Sequence, residues 1–228
     1  MSEKSIEDKK DMPRRKKFGI VTDIVLIDII NFSELSSEKQ LEIINFLTQS
    51  YKRMIHKILL NSNLSLEKLI LGFIPTGDGF YCVLNPRLKG FGSILGLSFN
   101  HFSDHIAKKY PYFEGIRIAV NHGVVNEFTD ILSNKNFIGA GLNDCSRFLE
   151  LKNFTISTVM VSDSAYEALK SFLQKHKDFD ALLLEREFKH SNYYTFFDKH
   201  GYEKKGRLIW LRKSGIINPP NINFNSML

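Results

Sequence analysis

The chain has 228 residues, 43% hydrophobic and 25% charged, with a net charge of +6. That length suits one domain with a full core, and the composition excludes a disordered chain. The two cysteines, Cys82 and Cys145, are far apart and lack metal-ligand spacing, and read as reduced thiols in a cytoplasmic protein.

Residues 1–17 read as a polar leader, too polar for a signal peptide. The leader ends in the basic run Arg14-Arg15-Lys16-Lys17, read here as solvated. A basic balance fits a nucleic acid, a membrane surface or a small polyanion. No aromatic–basic motif of an RNA-binding sheet is present, so no nucleic-acid partner is expected. The most apolar run, Phe18 to Phe32, is too short to span a bilayer and contains Asp23 and Asp28. Stable membrane insertion is therefore not expected.

Residues 18–30 are rich in β-branched and aliphatic side chains and predict a central strand buried on both faces. A helix opens at Ser36, and Ser37 with Gln40 has capping-box spacing. Leu41, Ile44, Phe46, Leu47, Tyr51, Met54, Ile55, Ile58 and Leu59 recur at helical spacing, so this helix should lie on a sheet. Apolar runs at 66–74 and 79–85 flank Pro75-Thr76-Gly77-Asp78-Gly79, which predicts a hairpin or tight turn.

Residues 91–109 read as a helix and 115–126 as a strand. A helix at 141–151 is entered through a glycine-containing turn. A short strand at 156–161 and a helix at 163–174 capped by Ser162 follow. Residues 180–212 predict two or three strands, and 213–228 a flexible tail. The order β-α-β-β-α-β is the ferredoxin-like motif with C-terminal additions, an α+β fold in one domain over 18–212.

Asp28 lies near the end of the first strand and Asp78 in the hairpin turn. A ferredoxin-like sheet pairs the first strand beside this hairpin, so the two can meet. Paired carboxylates repel unless a cation lies between them, and Mg²⁺ or Mn²⁺ suits oxygen ligands. Taken singly, an Asp at a strand end or beside Gly is an ordinary turn residue. Asp23 falls on the opposite face from Asp28 by strand alternation and receives no role.

The segment Asp28-Ile29-Ile30-Asn31-Phe32-Ser33-Glu34-Leu35-Ser36 resembles the first metal motif of class III adenylate and guanylate cyclases. Pro75-Thr76-Gly77-Asp78-Gly79-Phe80 resembles their second. Asn31 stands where the family usually has Gly. Gly139-Ala140-Gly141-Leu142-Asn143-Asp144-Cys145-Ser146-Arg147 resembles their third motif, with Asn143 and Arg147 one helical turn apart on one face.

The resemblance covers about residues 18–212 and implies a nucleotide cyclase, turning a nucleoside triphosphate into a 3′,5′-cyclic nucleotide and pyrophosphate. It implies two divalent ions held by Asp28, Asp78 and the backbone carbonyl of Ile29. Asn143 would hold a ribose oxygen and Arg147 the charge of the transition state. It implies a homodimer, because in this family the metal carboxylates and the Asn/Arg pair of one site come from different subunits. A late lysine of the family matches Lys199, with Lys205 as a rival.

At the family's base-selecting positions this chain has Ile74 and Asn136. The Lys with Asp or Thr of adenylate cyclases is absent, as is the Glu and Cys of guanylate cyclases. Ile can only pack against a base, and Asn can both donate and accept. One reading is a cyclase of UTP or CTP. The layout is similar to Pycsar-type pyrimidine cyclases of antiphage defence, whose product activates a separate effector. The alternatives are an adenylate cyclase that reads its base through backbone groups, and a catalytically silent nucleotide-binding module of the same fold.

Overall fold

The computed structural model describes residues 19–60, 64–150, 158–198 and 200–213. The expected leader, the tail from residue 214 and Lys199 lie outside the described residues. Strand β1 (Ile20–Ile29) is followed by helix α1 (Ser37–Leu59), a one-turn helix α2 (Leu66–Leu69), and the hairpin β2 (Ile70–Pro75) and β3 (Gly79–Leu84). Helix α3 (Phe91–Lys109) leads into β4 (Ile116–Thr129). The first four strands lie in the order β2-β3-β1-β4, all antiparallel. This is the expected ferredoxin-like core.

Beyond it come β5 (Lys135–Ile138), α4 (Ala140–Leu149), β6 (Val159–Ser162), α5 (Asp163–Lys175), α6 (Lys177–Glu185), β7 (Phe188–His190), β8 (Tyr194–Phe197) and β9 (Glu203–Leu211). Strand β6 runs parallel to β4 and extends the sheet to β9 and β7. Helices α1, α3, α5 and α6 bury their apolar stripes against one sheet face, with Val25, Ile27 and Ile29 of β1. Helix α4 packs on the other face, where Leu142, Cys145 and Phe148 meet Ile24 and Leu26. β1 is covered on both sides, so its near-continuous apolar run is what its position demands.

Several local expectations change. Helix α1 shows no side-chain N-cap bond. Gln40 instead donates to the carbonyls of Phe32 and Leu35, each at 3.0 Å, so it closes the preceding turn rather than a capping box. The buried stripe begins at Ile43, and Leu41 is 62% exposed. Residues 66–69 form α2 rather than strand. Residues 180–185 are helical because Phe179 and Leu183, four apart, both reach the core. β4 continues past 126, and β5 returns on it through a turn in which Asp130 accepts from the N–H groups of Leu132 and Asn134.

Asp23 has a structural function that alternation alone did not suggest. Its buried carboxylate accepts from the N–H groups of Gly90 (2.7 Å) and Gly92 (2.9 Å) at the start of α3. It also pairs with His122 Nδ1 at 2.6 Å. Two otherwise orphaned helix donors and one imidazole thus share one buried carboxyl group.

Candidate active site

β1 brings Asp28 opposite Gly79 of β3. The N–H of Ile29 donates to the carbonyl of Asp78 at 2.8 Å, which ties the strand end to the hairpin turn. The turn depends on two glycines for different reasons. Gly77 has φ of 97°, a conformation that L side chains resist. At Gly79 a Cβ would come within 1.9 Å of the Ile27 carbonyl oxygen, so only a glycine lets β3 approach β1. Asn31 adopts φ 51°. Asn is the side chain that best tolerates the left-handed region, so it can stand where the family has Gly. Its amide also donates to Glu114 at 2.8 Å.

Asp28 and Asp78 line a pocket of about 280 Å³ with Thr76, Tyr81, Arg117 and Ser146. Thr76 donates to Asp78 Oδ1 at 3.1 Å. Burial pushes the Asp28 carboxyl above the usual carboxylate range. The Arg117 guanidinium offsets part of that rise, and the neighbouring Asp78 adds to it. Arg117 holds Asp28 Oδ2 through Nε at 2.7 Å and through a second nitrogen at 2.5 Å.

The donor set fits a hard divalent cation. Two close carboxylates, one buried and resisting ionisation, call for positive charge. Among the described residues no group of three or more His, Cys, Asp or Glu side chains gathers around a metal position.

α4 carries Asn143 and Arg147, but neither lines this pocket. Asn143 is exposed. Arg147 pairs with Asp144 at 2.8 Å and with Asp198 at 2.9 Å. Burial works against the charge on Asp198, but the N–H groups of Tyr202 and His200, with Arg147, outweigh it and hold its carboxyl below the usual range. Within one chain the structure therefore joins Asp28 to Asp78 and leaves Asn143 and Arg147 outside their pocket.

Ile74 lies on β2 opposite Tyr81 and is partly buried on the α4 side of the sheet. Asn136 lies on β5, and its side-chain oxygen accepts from the Phe137 N–H at 2.8 Å. The Phe137 ring covers Gly72 of β2, where a Cβ would come within 2.4 Å. β5 pairs with β4 and not with β2, so the strands of Ile74 and Asn136 meet through this Phe137–Gly72 contact.

Sequence reasoning missed Arg117, Asp198 and Lys204. Arg117 carried the signal that singled out Asp28, a charged residue in an apolar strand. The rival lysine, Lys205, is half exposed and pairs with Glu203 at 2.9 Å. Strand alternation turns its neighbour Lys204 toward α4, where it pairs with Asp144 at 2.9 Å. Nothing in the local sequence separates these two lysines, because only the register of β9 decides which one faces α4.

No protein-family model matches the sequence, and no curated protein matches it. Solved structures do: the chain has the fold of class III adenylate and guanylate cyclase catalytic domains. The guanylate cyclase domain of RhGC from Catenaria anguillulae, solved with GTP, is similar with a TM-score of 0.55 and 17% identity, over 86% of this chain and 100% of that one. The catalytic core of a rhodopsin-guanylyl cyclase with converted specificity, solved with ATPαS, gives 0.55 and 16% over 86% and 98%. An adenylate/guanylate cyclase/hydrolase from Silicibacter pomeroyi gives 0.52 and 15% over 84% and 96%.

Proposed function

We propose that this protein is a nucleotidyl cyclase that converts a nucleoside triphosphate to its 3′,5′-cyclic monophosphate and pyrophosphate. The observation that carries the reading is the meeting of Asp28 and Asp78 in a pocket of about 280 Å³, in a fold shared with class III cyclase domains. Asp28, Asp78 and the Ile29 carbonyl would hold two divalent ions, Mg²⁺ or Mn²⁺. Bound there, such ions lower the pKa of the ribose 3′-hydroxyl and neutralise the triphosphate.

The chain's own residues do the rest by position and charge. Asn143 holds a ribose oxygen, so that the 3′-oxygen lies in line with the α-phosphorus. Arg147 stabilises the charge gathering on the phosphate oxygens. Arg117, which holds Asp28 and lines the same pocket, would supply positive charge to the phosphates there. Because Asn143 and Arg147 do not line the Asp28 pocket of their own chain, the reading places them in the site of a second copy. The working unit is then a homodimer with two composite sites.

Ile74 offers a base no hydrogen bond, and one acceptor of Asn136 is already used by Phe137. The purine-reading pairs of adenylate and guanylate cyclases are thus absent at these positions, and on that ground we take the base to be a pyrimidine, UTP or CTP. The product would act as a second messenger in the cytoplasm on a separate cyclic-nucleotide-binding effector, in antiphage defence. The late phosphate-binding lysine is Lys199, unless Lys204 beside Arg147 takes that part. Among the described residues no helix is long and apolar enough to cross a membrane. Incubating the protein with each of the four NTPs and Mn²⁺, with products identified by mass, tests the reading. Cyclic UMP or cyclic CMP is the expected product. Cyclic AMP would overturn the base assignment, and no cyclic product from any NTP would overturn the enzyme.

A further inference from the structure

The β2–β3 hairpin has two working faces. Ile74 and Tyr81 face α4 and the Asp28 side. Phe73, Phe80 and Cys82 face the other way, into a cavity of about 600 Å³ between the hairpin and α1. That volume is in the range of small-molecule sites. Its walls are largely apolar and aromatic, with Tyr51 and Ile55 of α1 and Phe99 of α3 opposite the hairpin. Phe73 is 50% exposed at the sheet-edge strand β2.

Charge at the rim is asymmetric. Lys52 of α1 and Lys135 of β5 both line the cavity, against one acid, Glu67. Lys135 already pairs with Glu127 at 2.8 Å. Lys52 is exposed and acts on Glu67 only as a minor contributor to its lowered pKa. An apolar body inside and a negative head at Lys52 would satisfy both features.

We propose that this cavity is an effector site for an amphipathic carboxylate, with its chain between α1 and the β2–β3 hairpin and its carboxylate at Lys52. Its occupant presses on Phe73 and Phe80. Phe80 follows Gly79 and pairs with Ile27 of β1, so the far side of this wall is the turn that carries Asp78. Ligand in the cavity therefore sets the position of Asp78 against Asp28. The binding site stands without the cyclase reading, whereas the consequence for catalysis rests on it.

Decanoate, at a concentration below its micelle point, is the probe. Titration calorimetry on the full chain without nucleotide should give saturable binding of one decanoate per chain, at least tenfold tighter than decanol. Lys52→Glu should remove that preference. Thr48→Trp, at an exposed rim position of α1, should weaken both ligands at least tenfold by filling the mouth. Both positions are exposed, so both variants should keep the wild-type melting temperature. Hydrogen exchange of the amides over 70–84 should slow with decanoate bound. No saturable binding, or binding unchanged in both variants, would overturn the site. Binding without slower exchange at the hairpin would overturn the coupling. None of these readouts needs the chain to cyclise a nucleotide, so their failure is distinct from failure of the enzyme assay.

Discussion

Asp28 lies almost buried between a positive and a negative neighbour, Arg117 and Asp78. Its pKa in the folded chain is raised above its ordinary value of 3.8, chiefly by burial. Between those two values the native state binds more protons than the unfolded state, so stability falls as pH rises through that interval. Ionising this carboxyl thus costs stability, a cost that a bound cation would offset. Asp28→Asn should leave the metal-free melting temperature at pH 7 unchanged or raised. Arg117, 39% exposed, can turn to water when it loses its partner. Mn²⁺ at 100 times its Kd should stabilise the wild type by about 2.7 kcal/mol and leave this variant unmoved. Thermal melts with and without Mn²⁺ decide it, and a fall of several degrees in the metal-free variant would contradict the account. Asp23 is a buried carboxylate outside the candidate site that accepts from the Gly90 and Gly92 N–H groups and contacts His122. Asp23→Ala should cost about 3 kcal/mol by leaving the α3 donors and His122 unsatisfied, measured by urea denaturation.

The element that organises the site is the β2–β3 hairpin. Gly79→Ala drives a Cβ into the backbone of β1, where no flexible side chain can yield. About 3 kcal/mol of stability should be lost, along with the Asp28–Asp78 approach. Gly77→Ala meets nothing within 4 Å and should cost only about 1–2 kcal/mol for its left-handed backbone. Denaturant midpoints that rank the two in the other order would contradict this reading of the turn. The hairpin was legible in the sequence because Pro75, Gly77 and Gly79 punctuate two apolar runs, and α3 because its limits fall at Phe91 and Lys109 as expected. β5 was not legible. Its strand has four residues, half of them exposed, and it exists because Phe137 can lie on Gly72 of a strand 65 positions earlier. Three strands do fall within 180–212, as expected, but α6 occupies the start of that range, and its Leu182, Leu183 and Leu184 form a short apolar run that periodicity alone cannot assign. The partners of Arg147 were also hidden, since Asp198 reaches it only through the pairing of β8 and β9.

At the scale of the molecule, the separation of the candidate residues is what the proposed assembly has to explain. One chain joins Asp28 and Asp78 in a pocket that neither Asn143 nor Arg147 lines, and Arg147 is held by Asp144 and Asp198. A second copy related by a two-fold axis can bring its Arg147 to the Asp28 pocket and receive the same in return. Arg147→Ala should then lower the rate about 10²–10³-fold, as expected for loss of a group that stabilises transition-state charge. Asp78→Ala should abolish the reaction through the opposite half of the site. The decisive measurement is cyclic-nucleotide formation, followed by mass, in an equimolar mixture of Asp78→Ala and Arg147→Ala that has been allowed to exchange subunits. Each variant alone should be nearly silent. The mixture should recover about a quarter of wild-type activity, because half the dimers are mixed and each mixed dimer has one intact site. A mixture no more active than its parts, or a wild-type chain that forms no cyclic product from any of the four NTPs, would contradict a cyclase with shared sites.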